Sequence, residues 1–242
     1  MRKRKGISGN GVGVVVGIII GVVLVIVVIL VAAGVFLLPA LAKAQEAARR
    51  ASCMNSCRQI GLAMTQYAEE HDGAYPNLVD ENGKEVPAVG PDGKVSPLPA
   101  RTAFAILLKR EYLTTTKVFV CPSSNDRVTD DTFPSDYASA RLQNLILPEK
   151  NCSYGWDPTK KHSADPTCAL VADKPSDDVS PANEGTWNNN SDNHNKEGQN
   201  VFYNDGHIKW ATTSAPDGGD DTDIYLGGPG YETSNTDAKI IR

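Results

Sequence analysis

The chain has 242 residues and a net charge of −5, and its charges are unevenly distributed. Four basic residues stand together at positions 2–5, and removing them from the 24 basic side chains leaves 20 against 29 acidic ones, a net charge of −9 for the remainder. Because phosphate backbones bind to basic surfaces, this acidic remainder argues against a nucleic-acid partner.

The longest apolar stretch covers residues 12–38, and no charged side chain occurs between Gly6 and Ala42. A helix of about 20 apolar residues crosses a bilayer, and backbone groups in lipid must be paired within the segment. The stretch therefore predicts one transmembrane helix, longer than the apolar region of a cleaved secretory signal. Because basic flanks stay in the cytoplasm, we expect residues 1–11 inside and the remainder outside.

Small residues recur every four positions in this helix, at Gly13, Gly17 and Gly21. They fall on one face and would let a second helix approach closely. The lipid bilayer is the expected partner of the other faces, and the glycine face favours self-association, although glycine is also common in membrane helices generally.

Pro39 follows the apolar block and is expected to kink the helix without ending it, since residues 40–51 are strong helix formers. Spacings of three and four then place one stripe of side chains on a single helix face. Its members are Cys53, Cys57, Ile60, Met64, Tyr67 and His71. We expect residues 39–72 to continue the helix outside the membrane and Gly73 to stop it.

Residues 73–214 are expected to form one globular domain that begins with a loop rich in proline and glycine. The predicted elements within it are a helix over 101–113, a helical turn within 138–147, and strands over 117–121, 152–156 and 167–172. The acidic tail, residues 215–242, is rich in glycine and aspartate and is expected to hold little regular structure.

The clearest β pattern is a hairpin around Asp205-Gly206, which typically forms a two-residue turn between alternating runs. Tyr203 should then pair with Ile208, and Val201 with Trp210. Because side chains alternate along strands, these four would share one face, which we expect to pack against the helix stripe. Together the elements predict an α+β fold.

Residues 37–53 (LLPALAKAQEAARRASC), with Asn55, residues 59–63, Tyr67 and Tyr75-Pro76, strongly resemble bacterial prepilin-like proteins related to the type II secretion pseudopilins. His194, Asp205 and Gly206 resemble the family's His…Asp-Gly processing-associated motif, with ten intervening residues in place of nine. The resemblance implies a pilin-like fold, in which the long N-terminal helix packs on a small antiparallel sheet. It also implies a structural role at the bacterial inner membrane.

The chain departs from that family at the start of the apolar block, where prepilins usually carry Gly-Phe-Thr-Leu-Ile-Glu. Aligned through Pro39, the cleavage glycine falls on Gly17 and the glutamate on Val22. By charge, Gly6 is the better-placed cleavage site. Two interpretations stay open: a subunit of a secretion or pilus-type filament, and a tethered, non-filamentous binding module. The missing glutamate favours retention of the basic N-terminus.

Five cysteines fit an oxidising compartment, and an odd number leaves at least one outside any disulfide within the chain. Cys53 and Cys57 lie one helical turn apart and do not easily bond each other. We expect one of them to reach Cys121; metal ligands and free buried thiols are the alternatives. A second bridge is predicted between Cys152 and Cys168, which flank a loop between two strands.

Four aspartates crowd the tail at Asp217, Asp220, Asp221 and Asp223. Hard cations bind several oxygen ligands in flexible loops, and the resemblance implies a calcium site here; a solvated acidic tail is the alternative. The four histidines have no nearby nucleophile or paired-carboxylate pattern, and no phosphate-binding loop or hydrolase motif occurs. We therefore expect no enzymatic activity.

Overall fold

The computed structural model describes residues 9–76, 100–128, 146–215, 223–226 and 239–241. The chain divides into two compact units, residues 1–47 and 48–242, and one helix, α1 (Gly9–Glu70), has residues in both. Pro39 lies inside α1, which continues beyond it as predicted.

In the first unit, α1 is apolar on every side and exposed. Its large described side chains from Val14 to Leu41 are 48–68% accessible. Within the described parts of the chain, α1 is the one helix long and apolar enough to cross a membrane. An added Cβ at Gly13, Gly17 or Gly21 would meet nothing within 4 Å, so this face is open.

In the second unit, the predicted stripe of α1 forms one side of the core. Its members from Cys53 to Tyr67 are fully buried, and His71 is half-buried. The helix ends where expected: Gly73, at φ 80°, donates its N–H to the Ala68 carbonyl at 2.8 Å. A left-handed glycine is the usual way for a helix to end.

Helix α2 (Ala100–Lys109) begins one residue before the predicted range and ends four residues before the end of that range, and Phe104 and Leu107 are among its buried residues. The strand predicted over 117–121 is wrong. Residues Thr116–Phe119 form a 3-10 helix, capped by Thr115, whose side chain accepts from the N–H of Lys117. The local cap outweighs the β propensity of this short run, while Val118 and Phe119 are buried as an apolar strand would be.

The sheet has four antiparallel strands in chain order. They are β1 (Tyr154–Trp156), β2 (Ala169–Asp173), β3 (Gln199–Tyr203) and β4 (Ile208–Ala211). The residues of β2 and β3 are all buried. The two predicted strands before the hairpin correspond to β1 and β2.

The β3–β4 hairpin exists, but its predicted register is wrong by one residue. Phe202 pairs with Ile208, and the N–H of Tyr203 donates to the His207 carbonyl at 2.9 Å. The loop therefore has three residues and ends with Gly206 at φ 89°, a common alternative to the two-residue turn. A slip of one residue exchanges the faces of a strand.

Because of this slip, the β3 residues expected to face α1 do not. Phe202 belongs to the core cluster that contains the α1 stripe, whereas Val201 and Tyr203 belong to a second cluster. In β4 the prediction is confirmed, because both residues expected to face α1 do so. Ile208 packs on the α1 cluster, and Trp210 lies under Arg50 of α1.

The tail is more ordered than predicted in the parts that the structure describes. Ile224 and Ile240 are buried, and Ile241 forms an antiparallel bridge with Trp156 at the free edge of β1. The remaining tail residues, the turn predicted within 138–147 up to position 145, and the loop over 77–99 lie outside the described residues. The described elements form the predicted α+β, pilin-like architecture.

Candidate functional site

A disulfide joins α1 to the segment after the 3-10 helix, between Cys53 and Cys121, with Cα atoms 5.0 Å apart. The sequence predicted that either Cys53 or Cys57 would bond to Cys121, and the structure selects Cys53. The sequence separation of 68 residues corresponds to a loss of unfolded-state entropy worth about 4 kcal/mol. Both cysteines are fully buried.

The second predicted disulfide is wrong: Cys152 and Cys168 are buried and form no disulfide with each other. Tyr154 pairs with Asp173 in the antiparallel β1–β2 register, so Cys152 precedes β1 at one end of the pairing and Cys168 precedes β2 at the other. The remaining cysteine, Cys57, is buried on α1. Burial raises the pKa of Cys152 to about 12 and that of Cys57 well above its usual value, so both stay protonated.

His194 is fully buried beside the disulfide. Its Nε2 lies 3.4 Å from the Cys121 sulfur and 3.9 Å from Oδ2 of Asp173. The ring meets Trp210 edge-on, with centroids 5.1 Å apart. The backbone N–H of His194 points to the Ser123 carbonyl at 3.4 Å, which ties this segment to the turn after Cys121.

Asp173, at the end of β2, is the buried carboxylate of the cluster. It accepts hydrogen bonds from the backbone N–H of Asn200 at 2.7 Å and from the side-chain amides of Asn200 and Asn193 at 3.1 and 3.0 Å. Burial raises the pKa of Asp173, although His194 and these donors act in the opposite direction.

His194 and the two residues after it all have left-handed backbone conformations. The φ angles are 57° at His194, 54° at Asn195 and 60° at Lys196. Such angles cost roughly 1–2 kcal/mol per non-glycine residue. They persist where the surroundings determine the conformation, and they often mark functional positions.

A second connection to α1 lies at the surface end of this cluster. The Arg50 guanidinium stacks over the Trp210 ring at 4.5 Å and forms an ion pair with Glu197. The first helix is thus fixed to the His194 segment by a cation–π contact and an ion pair as well as through the disulfide.

The His…Asp-Gly motif does not form one site. His194 precedes β3 and lies in the core, whereas Asp205 and Gly206 follow β3 in the hairpin loop. Asp205 there accepts from the N–H of His207 at 3.0 Å. Five strand residues, or roughly 16 Å, separate the two halves.

Of the four candidate calcium ligands, Asp217, Asp220 and Asp221 lie outside the described residues. Asp223 is buried, and both of its oxygens accept hydrogen bonds from the protein. Its donors include the N–H of Tyr225 at 2.9 Å and the Asn189 amide at 2.8 Å. This carboxylate therefore has a structural role in joining the tail to the loop before β3.

Chemically, the cluster is suited to redox or metal chemistry. One imidazole nitrogen, Nε2, faces both Cys121 and Asp173, so the three do not align as a nucleophile–base–acid relay. In the described part of the chain, one group of three metal-ligating side chains has its ligand atoms within 4.8 Å of one another: Cys53, Cys121 and His194.

Sequence reasoning identified Cys53, Cys121 and His194 but missed Asp173, Asn193 and Asn200. A weak signal for Asp173 exists, because an acidic residue directly follows the apolar run Ala-Leu-Val-Ala. The sequence alone does not bring that carboxylate to the histidine, because the two meet in the tertiary fold through the β2–β3 pairing and the Asn193 amide.

A family model described as "Protein of unknown function (DUF1559)", a family typically of prepilin-like bacterial proteins, matches residues 42–88. The match begins within α1 and overlaps the stretch that carries the resemblance to prepilins. No curated protein and no solved structure matches the chain.

Proposed function

We propose that this protein is a structural subunit of the pseudopilin type, anchored in the bacterial inner membrane and related to type II secretion or type IV pilus systems. One observation carries the proposal: a single helix has an exposed, wholly apolar section and then a buried stripe packed on an antiparallel sheet. The family match over residues 42–88 supports the pilin-like assignment.

The proposed topology puts residues 1–11 in the cytoplasm and the globular unit outside. The basic residues 2–5 support this orientation, and the Cys53–Cys121 disulfide suits an oxidising compartment. In spheroplasts that have not been permeabilised, a membrane-impermeant maleimide should label Glu69→Cys, an exposed position. Ser8→Cys should react only after permeabilisation, and the reverse pattern would refute the orientation.

We propose self-association through the open glycine face of α1. Gly13, Gly17 and Gly21 leave room for a second helix. Gly17→Leu should weaken cross-linking between copies in membranes. Gly34→Leu is the matched control, because Gly34 is equally open but lies on another side of the helix. Equal cross-linking of both variants would exclude this face.

We propose no enzymatic role. The described groups that resemble catalytic ones are buried and committed elsewhere, since His194 lies in the core and Cys121 is in a disulfide. The acidic composition likewise supports the proposal that nucleic acid is not a partner.

A tethered, non-filamentous binding module is the second candidate, favoured by the absence of any acidic residue between Gly6 and Ala42. A charged side chain in lipid costs free energy and is kept only for a function. The prepilin glutamate is therefore expected to be lost where a chain no longer enters a filament. Intact mass of the membrane-extracted chain distinguishes the two. A methylated new N-terminus at Ile7 or Ile18 indicates a filament subunit, and retention of residues 2–5 indicates the tethered module.

A further inference from the structure

We propose that the Cys53–Cys121 pair and His194 form a metal site when the disulfide is reduced, so that the cluster alternates between a disulfide and a zinc centre. The three side chains are fully buried, and their ligand atoms lie within 4.8 Å of one another. In the oxidised chain the sulfurs bond each other. Reduction by a dithiol, which is itself oxidised to a disulfide, gives two thiols, and Zn²⁺ then displaces both protons into solvent. A disulfide oxidant reverses the exchange and releases the ion.

The donor set selects the class of metal. Two thiolates and an imidazole are the usual ligands of tetrahedral Zn²⁺ in proteins, whereas Ca²⁺ and Mg²⁺ require oxygen ligands. Two thiolates also neutralise the charge of a divalent ion. Binding in this buried site therefore leaves no net charge on the metal and its sulfur ligands.

The present positions already approach the required geometry. With zinc–sulfur and zinc–nitrogen bonds of about 2.3 and 2.0 Å, tetrahedral ligands place sulfur and nitrogen about 3.5 Å apart. His194 Nε2 lies 3.4 Å from the Cys121 sulfur. Opening the disulfide requires mainly that the two sulfurs separate to roughly 3.8 Å, which side-chain rotation can supply.

Asp173 lies beside the three-ligand group but is not a member of it. Its Oδ2 lies 3.9 Å from His194 Nε2 and already accepts two hydrogen bonds from Asn200, which occupy the two lone pairs of that oxygen. Within the described residues, Oδ1 of the adjoining Asn200 is buried without a hydrogen-bond partner. It is one of five such side-chain atoms in the described residues, and it marks a polar gap beside Asp173.

The strained backbone is an independent observation that points to the same site. Three left-handed residues in succession, beginning at His194, hold the imidazole beside the sulfurs. The combination of strain and a buried histidine is accounted for if the ring serves as a ligand.

The test uses the full chain in detergent micelles. A phosphine reductant takes the disulfide to two thiols and becomes the phosphine oxide, with water supplying oxygen and protons. The chain is then titrated with Co²⁺ or Zn²⁺, desalted and analysed for metal. We expect one ion per reduced chain, with cobalt–thiolate absorption and tetrahedral d–d bands, and no ion above background in the oxidised chain.

Two variants and one control make the result specific. Cys121→Ser and His194→Asn should each weaken binding at least tenfold in competition with a chelator. Cys57→Ser is the matched control and should bind as the parent does, because Cys57 is buried on the same helix but outside the three-ligand group. The proposal is overturned if the reduced parent binds no ion.

Thermal melting distinguishes the loss of a metal ligand from the misfolding of a variant. Zinc should raise the melting temperature of the reduced parent and of Cys57→Ser, but not that of His194→Asn. Binding by the reduced chain that is indifferent to His194 would show loose thiol chelation and would also overturn the proposal.

Discussion

Gly61 of α1 faces Phe202 of β3, and we expect Gly61→Ala to destabilise the fold although alanine is the better helix former. An added Cβ would lie only 2.5 Å from Phe202 Cγ, and two further ring carbons would be closer still. Carbon atoms prefer separations of about 3.5–4.0 Å, so the ring would have to retreat by about 1 Å. Phe202 is fully buried, and in a close-packed core any movement of its ring displaces neighbouring side chains.

Two terms decide the size of the effect. Replacing glycine by alanine inside a helix gains about 1 kcal/mol, whereas overpacking a filled core costs about 1–3 kcal/mol. The close contacts with the ring put this cost in the upper part of its range, about 2–3 kcal/mol. We therefore expect the free energy of unfolding to fall by about 1–2 kcal/mol for Gly61→Ala, and further for Gly61→Val. The measurement is urea unfolding of the full chain in micelles, followed by near-ultraviolet circular dichroism.

The neighbouring Leu62→Ala is the matched control, because Leu62 is 52% exposed and should change stability by less than about 0.5 kcal/mol. In a Phe202→Leu background, the penalty of Gly61→Ala should shrink, since the smaller side chain leaves room for the methyl group. If Gly61→Ala is as stable as the parent, or its penalty is unchanged in that background, Phe202 does not face α1. The two-residue turn register would then be correct.

Three further changes test other parts of the second unit. Ile60 is fully buried, so Ile60→Asp should lower the free energy of unfolding by roughly 3–5 kcal/mol because it leaves an unpaired buried charge. Gln59→Asp, at an exposed position, should change it little. Equal melting temperatures for the two variants would show that the stripe is not the buried face of α1. Cys121→Ser should lower the unfolding free energy by about 4 kcal/mol through loss of the disulfide, and an unchanged value in non-reducing urea titrations would contradict that link. A hydrogen bond from Lys196 lowers the pKa of Asp178 from 3.8 to about 2, so its stabilising contribution is present above pH 4 and is lost as the pH falls toward 2. Asp178→Asn should make the free energy of unfolding less dependent on pH between pH 4 and pH 2. A pH profile identical to the parent's would show that the Lys196–Asp178 contact does not stabilise the fold.

The elements that the sequence predicted well are those whose geometry follows directly from spacing. The α1 stripe from Cys53 to Tyr67 is buried because spacings of three and four lie on one face of any α-helix. The helix end was predictable for a similar reason, since Gly73 offers the left-handed conformation that terminates a helix. Neither inference requires knowledge of what packs against the helix.

The hairpin register was not predictable in this way. Asp205-Gly206 is compatible with a two-residue turn and with a three-residue loop that ends at Gly206. The choice depends on which β3 face packs on α1, and that is a tertiary matter: Gly61 leaves a space that Phe202 fills. The false Cys152–Cys168 bridge has a related origin, because strand register puts those residues at opposite ends of a pairing.

The candidate site was only partly predictable for the same reason. His194 was identified through a motif whose other half lies beyond the far end of β3. Its actual neighbours, Cys121 and Asp173, come from distant segments joined by the disulfide and by the sheet. Residues 194–196 contain no glycine, so their composition does not predict three successive left-handed conformations.

The edge of β1 gives a last prediction, concerning Gly155. A Cβ there would lie 2.6 Å from the Ile241 carbonyl oxygen and 2.7 Å from Cγ2 of Ile240, so Gly155→Ala should displace the terminal segment. That segment covers the edge through the Ile241 N–H, which donates to the Trp156 carbonyl at 2.9 Å, and through the reciprocal bond at 3.1 Å.

Hydrogen exchange of the full chain measures this displacement directly. In Gly155→Ala the amides of Trp156 and Ile241 should exchange faster, while those that pair β2 with β3 stay protected and serve as the internal control. An uncovered strand edge presents unpaired backbone groups to other chains, so the variant should also aggregate more readily. Exchange of both amides at the parent's rate would show that the terminal segment does not cover β1, and the tail would then be the unstructured element that its composition suggests.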